Sequence, residues 1–282
     1  MTKQVVLITG CTQGGIGYSF AKKFAEEGCQ VVATARRIEA LSGLEEFGCE
    51  KEALDITDRQ AVNAVVEKVI ERFGHIDVLV NNAGVPAVGA LMDVDLDWAE
   101  QCINTNVFGT LVLSRVVAKH MANRGKGKIV NVGSVVGYAS TPWAGIYAMS
   151  KAAVHSMSDT LRMELKPFGI QVVVVVPGSI KSNIGTAGVK TVQVPEDSLY
   201  TTVSNYIVAR ANLSQGLKAT PTDAFASHVA KRVLKPVSPR YITYGYLCSI
   251  FYAFYYLPFF IKDFFFSRRF GLHLLYKNEK KD

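Results

Sequence analysis

The chain has 282 residues, of which 49% are hydrophobic and 20% are charged, and it contains no low-complexity tract. A chain of this length can bury a large core, and its composition excludes an intrinsically disordered protein. The formal net charge is +7, but the basic residues form no long cluster, which argues against nucleic-acid binding and leaves a solvated surface or attraction to anionic lipids and phosphorylated ligands.

Apolar runs alternate with amphipathic segments along the first part of the chain. Runs rich in β-branched residues predict buried strands, and apolar residues three and four positions apart predict helices. Two of the helical segments end at glycines, Gly28 and Gly74, as helices commonly do. The predicted elements are a strand over 4–9, a helix over 18–28, a strand over 30–35, a helix over 59–74, and a strand with its loop over 76–84.

The same alternation continues with a helix over 98–125, a strand over 127–134, a helix over 147–169 and a strand over 170–178. Buried strands that alternate with helices are typical of a parallel sheet covered on both faces. We therefore predict a doubly wound, Rossmann-like α/β domain over residues 1–240. Within it, 183–240 are the predicted substrate segment, and a hydrophobic tail follows over 241–282.

A glycine-rich loop, "TGCTQGGIG" (9–17), joins the first strand to the first helix. Glycines at Gly10, Gly15 and Gly17 allow a tight turn and a close approach of the backbone to a pyrophosphate, with Ile16 beginning the helix. The free N–H groups at the helix N-terminus would then bind the phosphates. The loop predicts a dinucleotide site.

The end of the second strand, "ATARR", indicates which dinucleotide is bound. An acidic residue at this point would bind the ribose hydroxyls and repel a 2′-phosphate. The chain instead has Ala35 there, followed by Arg36 and Arg37, and a guanidinium suits a phosphate by charge and by geometry. The sequence therefore favours NADPH over NADH.

Tyr147 and Lys151 lie four residues apart in "YAMSK" and share one face of the predicted helix. A neighbouring ammonium and an oxidised nicotinamide would both lower the pKa of the phenol and prepare it for proton transfer. Ser134 ends the preceding strand, where its hydroxyl can face the ligand crevice. Asn106 lies inside a predicted helix, where an Asn side chain is unfavourable unless it has a functional role.

Together these motifs resemble the short-chain dehydrogenase/reductase family, in the same order along the chain. The resemblance covers about residues 3–185 and rests on the glycine loop, "LDITD" (54–58), "NNAG" (81–84), Asn106, Ser134, "YAMSK" (147–151) and "PGSI" (177–180).

The resemblance implies a catalytic tetrad. Tyr147 would protonate the carbonyl oxygen as a hydride arrives from the nicotinamide, and Ser134 would hold that oxygen by a hydrogen bond. Lys151 would bind the ribose hydroxyls and tune Tyr147, and Asn106 would support a water in the proton relay.

The resemblance also implies the cofactor contacts, with the adenine between Asp55 and Ile56. The glycine loop is one residue longer than the commonest form, and the usual threonine after "PGSI" is Ser182, or Lys181 in a shifted register. The predicted cofactor-binding residues are Gly10, Gly15, Ile16, Gly17, Arg36, Arg37, Asp55, Ile56, Asn82, Gly84, Tyr147, Lys151, Pro177, Gly178, Ile180 and Ser182.

The cations of the substrate segment include Lys190, Arg210 and Lys218, which would either meet an anionic substrate group or lie on a solvated surface. This segment and the tail are similar to a narrower group, the NADPH-dependent 1-acyldihydroxyacetone-phosphate reductases. That similarity implies reduction of a lipid ketone to a secondary alcohol. The alternatives are a reductase or dehydrogenase of steroid, terpenoid or other small hydrophobic ketones, and a non-catalytic membrane-surface protein that binds the cofactor.

The tail is unusually aromatic, because residues 241–266 contain 13 of the chain's 29 Phe, Tyr and Trp residues. Residues 242–261 carry no charge and have the minimal length for a bilayer span, but Tyr residues, Gly245 and Pro258 favour a segment lying in the headgroup region. A packed lid, an oligomer contact and a full span remain alternatives.

The five cysteines are scattered without metal-ligand spacing, which predicts a reducing compartment, free thiols and no metal. The N-terminus runs straight into a strand pattern, so we expect no signal or transit peptide. We expect the protein at the cytosolic face of the endoplasmic reticulum membrane or a lipid droplet, and otherwise in the cytoplasm. A homo-oligomer is left open.

Overall fold

The computed structural model describes residues 3–190, 192–213 and 216–276. Its strands are β1 (Val5–Ile8), β2 (Gln30–Ala35), β3 (Glu50–Ala53), β4 (Val78–Asn81), β5 (Gly127–Val132), β6 (Ile170–Pro177), β7 (Ile180–Lys181), β8 (Thr220–Pro221) and β9 (Tyr241–Tyr244).

Seven of these strands form one sheet in the order β3-β2-β1-β4-β5-β6-β9, and every pairing in it is parallel. The two short strands, β7 and β8, pair separately. The helices are α1 (Ile16–Glu26), α2 (Arg59–Phe73), α3 (Leu96–Ile103), α4 (Thr110–Asn123), α5 (Gly145–Leu165), α6 (Asn183–Lys190), α7 (Ser204–Ala211), α8 (Thr222–Val233), α9 (Cys248–Tyr256) and α10 (Phe259–Arg269).

The side chains of β6 show how the sheet is covered. Val173 and Val175 belong to the cluster that includes residues of α1 and α8, whereas Val172 belongs to the cluster with residues of α2 and α4. Val174 and Val176 contribute to a third cluster, which includes the buried aromatics of α9 and α10. Because strand side chains alternate between faces, helices bury both sides of the sheet, and the predicted doubly wound α/β fold is confirmed.

Three features differ from the sequence prediction. The predicted helix over 98–125 is interrupted by a π-helical turn at Asn104–Gly109, between α3 and α4. Strand β3 was not predicted. Strand β9 lies in residues that we assigned to the tail, and it pairs with β6 from Val174↔Tyr241 to Pro177↔Tyr244. The division of the chain at residue 240 stays a prediction, but the sheet extends beyond it.

The tail continues from β9 into α9 and α10, which are separated at Leu257 and Pro258. In the part of the chain that the structure describes, no helix has the length and apolar content of a membrane span. Residues 277–282 of the predicted tail lie outside the described residues.

The two tail helices have an inner and an outer side. On the inner side, four aromatic side chains pack against the domain and are at most 7% exposed: Phe251, Phe254, Phe266 and Phe270. On the outer side, seven aromatic side chains are 46% to 78% exposed, and we call them the outer aromatic face: Tyr252, Tyr255, Tyr256, Phe259, Phe260, Phe264 and Phe265.

Candidate active site

A cavity of about 480 Å³ lies at the carboxyl edge of the sheet, where β1, β4, β5 and β6 end. In open parallel sheets this edge is where ligands bind, beside the point at which the strand order reverses. Here the order reverses between β1 and β4, which are neighbours in the sheet but not in the sequence. The cavity therefore occupies the position that the fold provides for a ligand.

The glycine loop forms one end of the cavity, where Gly10, Gly15 and Ile16 are lining residues. Gly10 has φ = 71°, and a Cβ there would lie 2.7 Å from the Ala83 Cα. Gly17 does not line the cavity but is packed beneath the loop. A Cβ at Gly17 would collide with the Asn82 amide and the Gly10 carbonyl. The glycines thus leave a backbone cradle at the N-terminus of α1, which fits a pyrophosphate.

The same cavity also reaches the end of β2, where the sequence has no acidic residue. Ala35, Arg36, Asp55 and Ile56 line the cavity there, whereas Arg37 is exposed and does not. The Asp55 carboxylate accepts hydrogen bonds from the N–H and the hydroxyl of Thr57, at 2.9 and 2.7 Å. Of the two predicted arginines, the structure therefore brings Arg36 to the cavity.

Asn82 lines the cavity, but its side chain is used to hold the glycine loop. The Asn82 amide donates to the carbonyl oxygens of Thr9 and Gly10, at 2.9 and 3.1 Å. The Thr9 hydroxyl in turn accepts from the N–H groups of Asn82 and Ala83. Thr9 is a residue that the sequence reasoning missed, because one Thr at a strand end carries no distinctive signal.

Asn106 is buried in the π-helical turn and does not line the cavity. The side-chain oxygen Oδ1 of Asn106 accepts from the Val85 N–H at 2.8 Å. The side-chain nitrogen Nδ2 donates to the Val85 carbonyl and the Ser150 hydroxyl, at 3.1 and 3.0 Å. Gly84 is packed close by, since a Cβ there would lie 3.0 Å from Oδ1 of Asn106. In the described chain Asn106 fixes the loop that begins at Val85.

Ser134, Tyr147 and Lys151 all line the cavity. The Ser134 hydroxyl accepts from the Val136 N–H at 3.3 Å, and its interaction with Tyr147 lowers the pKa of the phenol. The Lys151 ammonium donates to the Val132 carbonyl at 2.9 Å and lies 5.6 Å from the centre of the Tyr147 ring. The structure thus brings together the three side chains that the sequence predicted.

Burial shifts the pKa values of Tyr147 and Lys151 in opposite directions, because it disfavours the charged form of each group. It raises the pKa of Tyr147 to about 12, against the lowering effects of Arg210 and of the interaction with Ser134. It lowers the pKa of Lys151 to about 8. The expected lowering of the Tyr147 pKa is therefore not found in the chain without cofactor, where burial dominates.

His155 is a second residue that the sequence reasoning missed. Its Nε2 accepts from the Ser134 N–H at 3.3 Å, and a Cβ at Gly133 or Gly137 would collide with the imidazole. Burial lowers the pKa of His155 to about 4, so the ring is neutral at physiological pH and can accept this bond. Its position four residues after Lys151 puts it on the same helix face, which was the available signal.

The last cofactor contacts are predicted in the segment after β6. Pro177, Gly178, Ile180 and Ser182 line the cavity, whereas Lys181 is exposed and does not. Of the two registers left open, the structure therefore brings Ser182 to the cavity.

Among the described side chains, Arg210 is the one of the predicted substrate-segment cations that reaches the cavity. Arg210, on α7, lines it and donates from Nε to the Thr141 hydroxyl at 3.1 Å, and burial lowers its pKa to about 10. It forms no ion pair with a carboxylate of the described residues. Lys218 is exposed away from the cavity, and the side chain of Lys190 lies outside what the structure describes.

The apolar lining residues, which we call the apolar wall, come from several parts of the chain. Val88 precedes α3, Leu213 follows α7, and Leu247 and Phe251 belong to the tail. The cavity therefore combines a cation, a phenol and apolar side chains with the glycine cradle.

The chain matches the family model of short chain dehydrogenases over residues 4–192. An NADPH-dependent 1-acyldihydroxyacetone phosphate reductase of Schizosaccharomyces pombe is 37% identical over 74% of this chain and 72% of its own length. A reductase of the same name from Saccharomyces cerevisiae is 29% identical over 96% of this chain and 92% of its own length. A crystal structure of a short-chain dehydrogenase from Streptomyces avermitilis superposes with a TM-score of 0.80 at 27% identity, covering 95% of this chain and 97% of that one.

Proposed function

The chain belongs to the short-chain dehydrogenase family, and we propose that it uses NADPH to reduce the ketone of a lipid, with 1-acyldihydroxyacetone phosphate as the preferred substrate. The family shows an oxidoreductase that uses a nicotinamide cofactor. The observation that carries the finer proposal is one cavity that joins the glycine cradle and Arg36 to Tyr147, Arg210 and an apolar wall.

The proposed chemistry assigns each side chain a task. Bound NADPH would supply the hydride that adds to the ketone carbon. Tyr147 donates its phenolic proton to the ketone oxygen, and its raised pKa keeps that proton in place at neutral pH. Ser134 donates a hydrogen bond to the same oxygen, and Lys151, an ammonium below about pH 8, binds the cofactor ribose and favours the phenolate that remains. Asn106 keeps the Val85 loop in place.

Arg36 supports NADPH over NADH. It is the lining residue that follows Ala35, at the end of β2 where an acid would select the unphosphorylated ribose. The cofactor would be held by the glycine cradle, by Asp55 and Ile56, and by the segment from Pro177 to Ser182.

Arg210 supports a phosphorylated substrate over a neutral one. Among the cations of the substrate segment whose side chains the structure describes, it is the one that lines the cavity, and its Nε–H bond to Thr141 fixes the guanidinium near Tyr147. A guanidinium recognises a phosphate by charge and by paired hydrogen bonds. The apolar wall of the same cavity suits an acyl chain.

The outer aromatic face supports work at a lipid surface. Exposed aromatic side chains next to cations suit the headgroup region of a membrane, and here Lys262 lies over the Phe259 ring at 4.3 Å. The proposed location is the cytosolic face of the endoplasmic reticulum membrane or a lipid droplet.

The experiment is a ketone panel with the purified full-length chain and NADPH consumption as the readout. The panel contains an acyl-dihydroxyacetone phosphate, its dephosphorylated counterpart and a steroid ketone. We expect turnover of the phosphorylated lipid that Tyr147→Phe abolishes and that Tyr18→Phe, outside the cavity, leaves unchanged. Absence of Tyr147-dependent NADPH oxidation with every ketone would favour a binding protein instead.

The same panel tests the substrate class. Arg210→Ala should lower kcat/KM about 10- to 100-fold for the phosphorylated lipid, the effect of losing a charged hydrogen bond, and far less for its dephosphorylated counterpart. Lys218→Ala is the matched control and should leave both unchanged. Equal losses for both substrates would point to a neutral hydrophobic ketone.

A further inference from the structure

Trp143 has a backbone conformation that is rare for a large side chain, and it lies directly before the helix that carries Tyr147. Its φ is 64°, in the left-handed region that persists for bulky residues only where surrounding contacts enforce it. The buried indole donates from Nε1 to the carbonyl oxygen of Phe270 at 2.9 Å, and the Tyr200 ring lies edge-on at 5.1 Å. Phe270 directly follows α10, so the end of the tail helps to enforce this turn.

The turn at Trp143 joins three walls of the cavity. Two residues before it, the Thr141 hydroxyl accepts the hydrogen bond that orients Arg210. The Trp143 carbonyl accepts from the Gly89 N–H at 3.0 Å, which ties the turn to the loop that contains Val88. Immediately after it, Ala144 lines the cavity and begins the path to Tyr147. A shift of this turn would therefore move both groups assigned to the substrate.

We infer that Trp143 is a positioning residue through which the C-terminal tail sets the geometry of the substrate end of the active site. The inner face of the tail also contributes Phe251 directly to the cavity wall, so the tail acts on the site by two routes. Among the described residues, no hydrogen bond or ion pair joins the glycine cradle or Arg36 to this turn. The inference rests on the proposed reductase function, because it assigns the positioned groups to a ketone substrate.

The chain supplies a control variant for the test, because only one of its two tryptophans has an indole hydrogen bond among the described residues. The indole nitrogen of Trp98 is buried without a hydrogen-bond partner among the described residues, whereas that of Trp143 donates to Phe270. Trp143→Phe should lower kcat/KM for the acyl-dihydroxyacetone phosphate about tenfold or more, as small misplacements of reacting groups do, and leave the KM for NADPH unchanged. Trp98→Phe should change neither.

The difference between the effect on the ketone kinetics and the effect on the NADPH kinetics separates a positioning role from a role in general stability. A role in folding alone would lower the thermal midpoint and weaken NADPH and ketone kinetics together. Equal losses in the ketone and NADPH kinetics, or no loss, would overturn the inference.

A second measurement does not require Trp143→Phe to fold. In the Trp98→Phe protein, Trp143 is the only tryptophan, so its emission reports the contact with the tail. Adding Phe270→Pro, which removes the Phe270 N–H bond to the Phe266 carbonyl and so displaces the carbonyl that Trp143 contacts, should shift that emission and produce the same ketone-specific loss. An unshifted emission, or a shifted emission with unchanged ketone kinetics, would overturn the inference. A wild-type chain that reduces no ketone at all would instead fail the proposed function.

Discussion

Tyr147 and Lys151 show how one physical cause prepares two groups for different tasks. Burial raises the pKa of the phenol to about 12 and lowers that of the ammonium to about 8. The phenol therefore keeps the proton that a reduction requires, while the ammonium titrates just above physiological pH. Lys151, rather than Tyr147, is the group whose titration should be visible in a rate profile.

The first prediction concerns pH. Because Lys151 is protonated below its folded pKa of about 8 and neutral above it, kcat/KM for NADPH should fall as the pH rises through about 8. A pH–rate profile of NADPH oxidation measures this, since kcat/KM reports the free enzyme. In Lys151→Arg the guanidinium stays charged, so the descending limb should disappear from this range, at a lower overall rate. The same limb in the variant would assign it to another group.

The second prediction separates the two arginines after β2. Arg36 lines the cavity and Arg37 does not, so Arg36→Ala should raise the KM for NADPH about tenfold or more, as expected for the loss of a charged hydrogen bond. The KM for NADH should stay nearly the same, since NADH lacks the 2′-phosphate. Steady-state kinetics with both cofactors measure the effect, and Arg37→Ala is the control. Equal changes for NADPH and NADH would refute the assignment.

At the scale of elements, the sequence predicted the central strands and missed both edge strands. The central strands are buried on both faces, so β6 is a continuous run of apolar residues that is easily seen. Strand β3 has the sequence EKEA and is partly exposed, and β9 is a four-residue strand inside an aromatic run. An edge strand is held by its neighbour's hydrogen bonds more than by its own apolar pattern, so periodicity does not reveal it.

In the candidate site, too, the sequence predicted some residues and missed others. The sequence predicted Ser134, Tyr147 and Lys151 because their chemistry and spacing are distinctive, and the structure brings them together. Thr9 and His155 were missed because they act by holding backbone groups, and contacts between distant parts of the chain leave no local pattern. The π-helical turn at Asn106 was missed for a related reason, since its cause lies in bonds to Val85 and Ser150.

The third prediction distinguishes the two sides of the tail helices. Phe266 is 6% exposed within the third cluster, whereas Phe260, on the same helix, is 71% exposed. Phe266→Ala should lower the free energy of unfolding by about 3 kcal/mol or more, because it removes a buried ring and leaves a cavity. Phe260→Ala should change it by less than about 0.5 kcal/mol. Urea unfolding of both variants measures the difference, and equal effects would mean that α10 does not pack on the domain as described.

At the scale of the whole molecule, the tail unites two alternatives that the sequence left separate. Its inner aromatics pack over the domain and reach the cavity through Phe251, while the outer aromatic face is exposed. The packed side and the exposed side are thus opposite sides of the same two helices, and the proposed membrane contact would use the exposed one. A lipid ketone bound at the membrane surface would then lie close to the element that forms the apolar wall.

The last prediction follows from the net charge of +7 and the cations beside the outer aromatic face. We expect the full-length chain to cosediment with vesicles that contain phosphatidylserine more than with neutral phosphatidylcholine vesicles, and the difference should shrink as salt is added. Replacing Lys262, Arg268 and Arg269 by Gln should remove the salt-dependent part of the binding. The double variant Phe259→Ser with Phe260→Ser should remove the vesicle binding that persists at high salt, because salt does not screen the insertion of apolar side chains.

The matched control for these variants is Val237→Ser, which changes an apolar side chain that is 80% exposed and lies outside the tail. It should bind vesicles like the wild type, whereas the double Phe variant should remain folded and reduce a water-soluble ketone normally. That combination would separate membrane contact from catalysis, because the substituted rings lie on the outer side of α10 and the cavity wall comes from Phe251 on the inner side of α9. Vesicle binding that survives the double substitution would place the membrane contact elsewhere on the molecule.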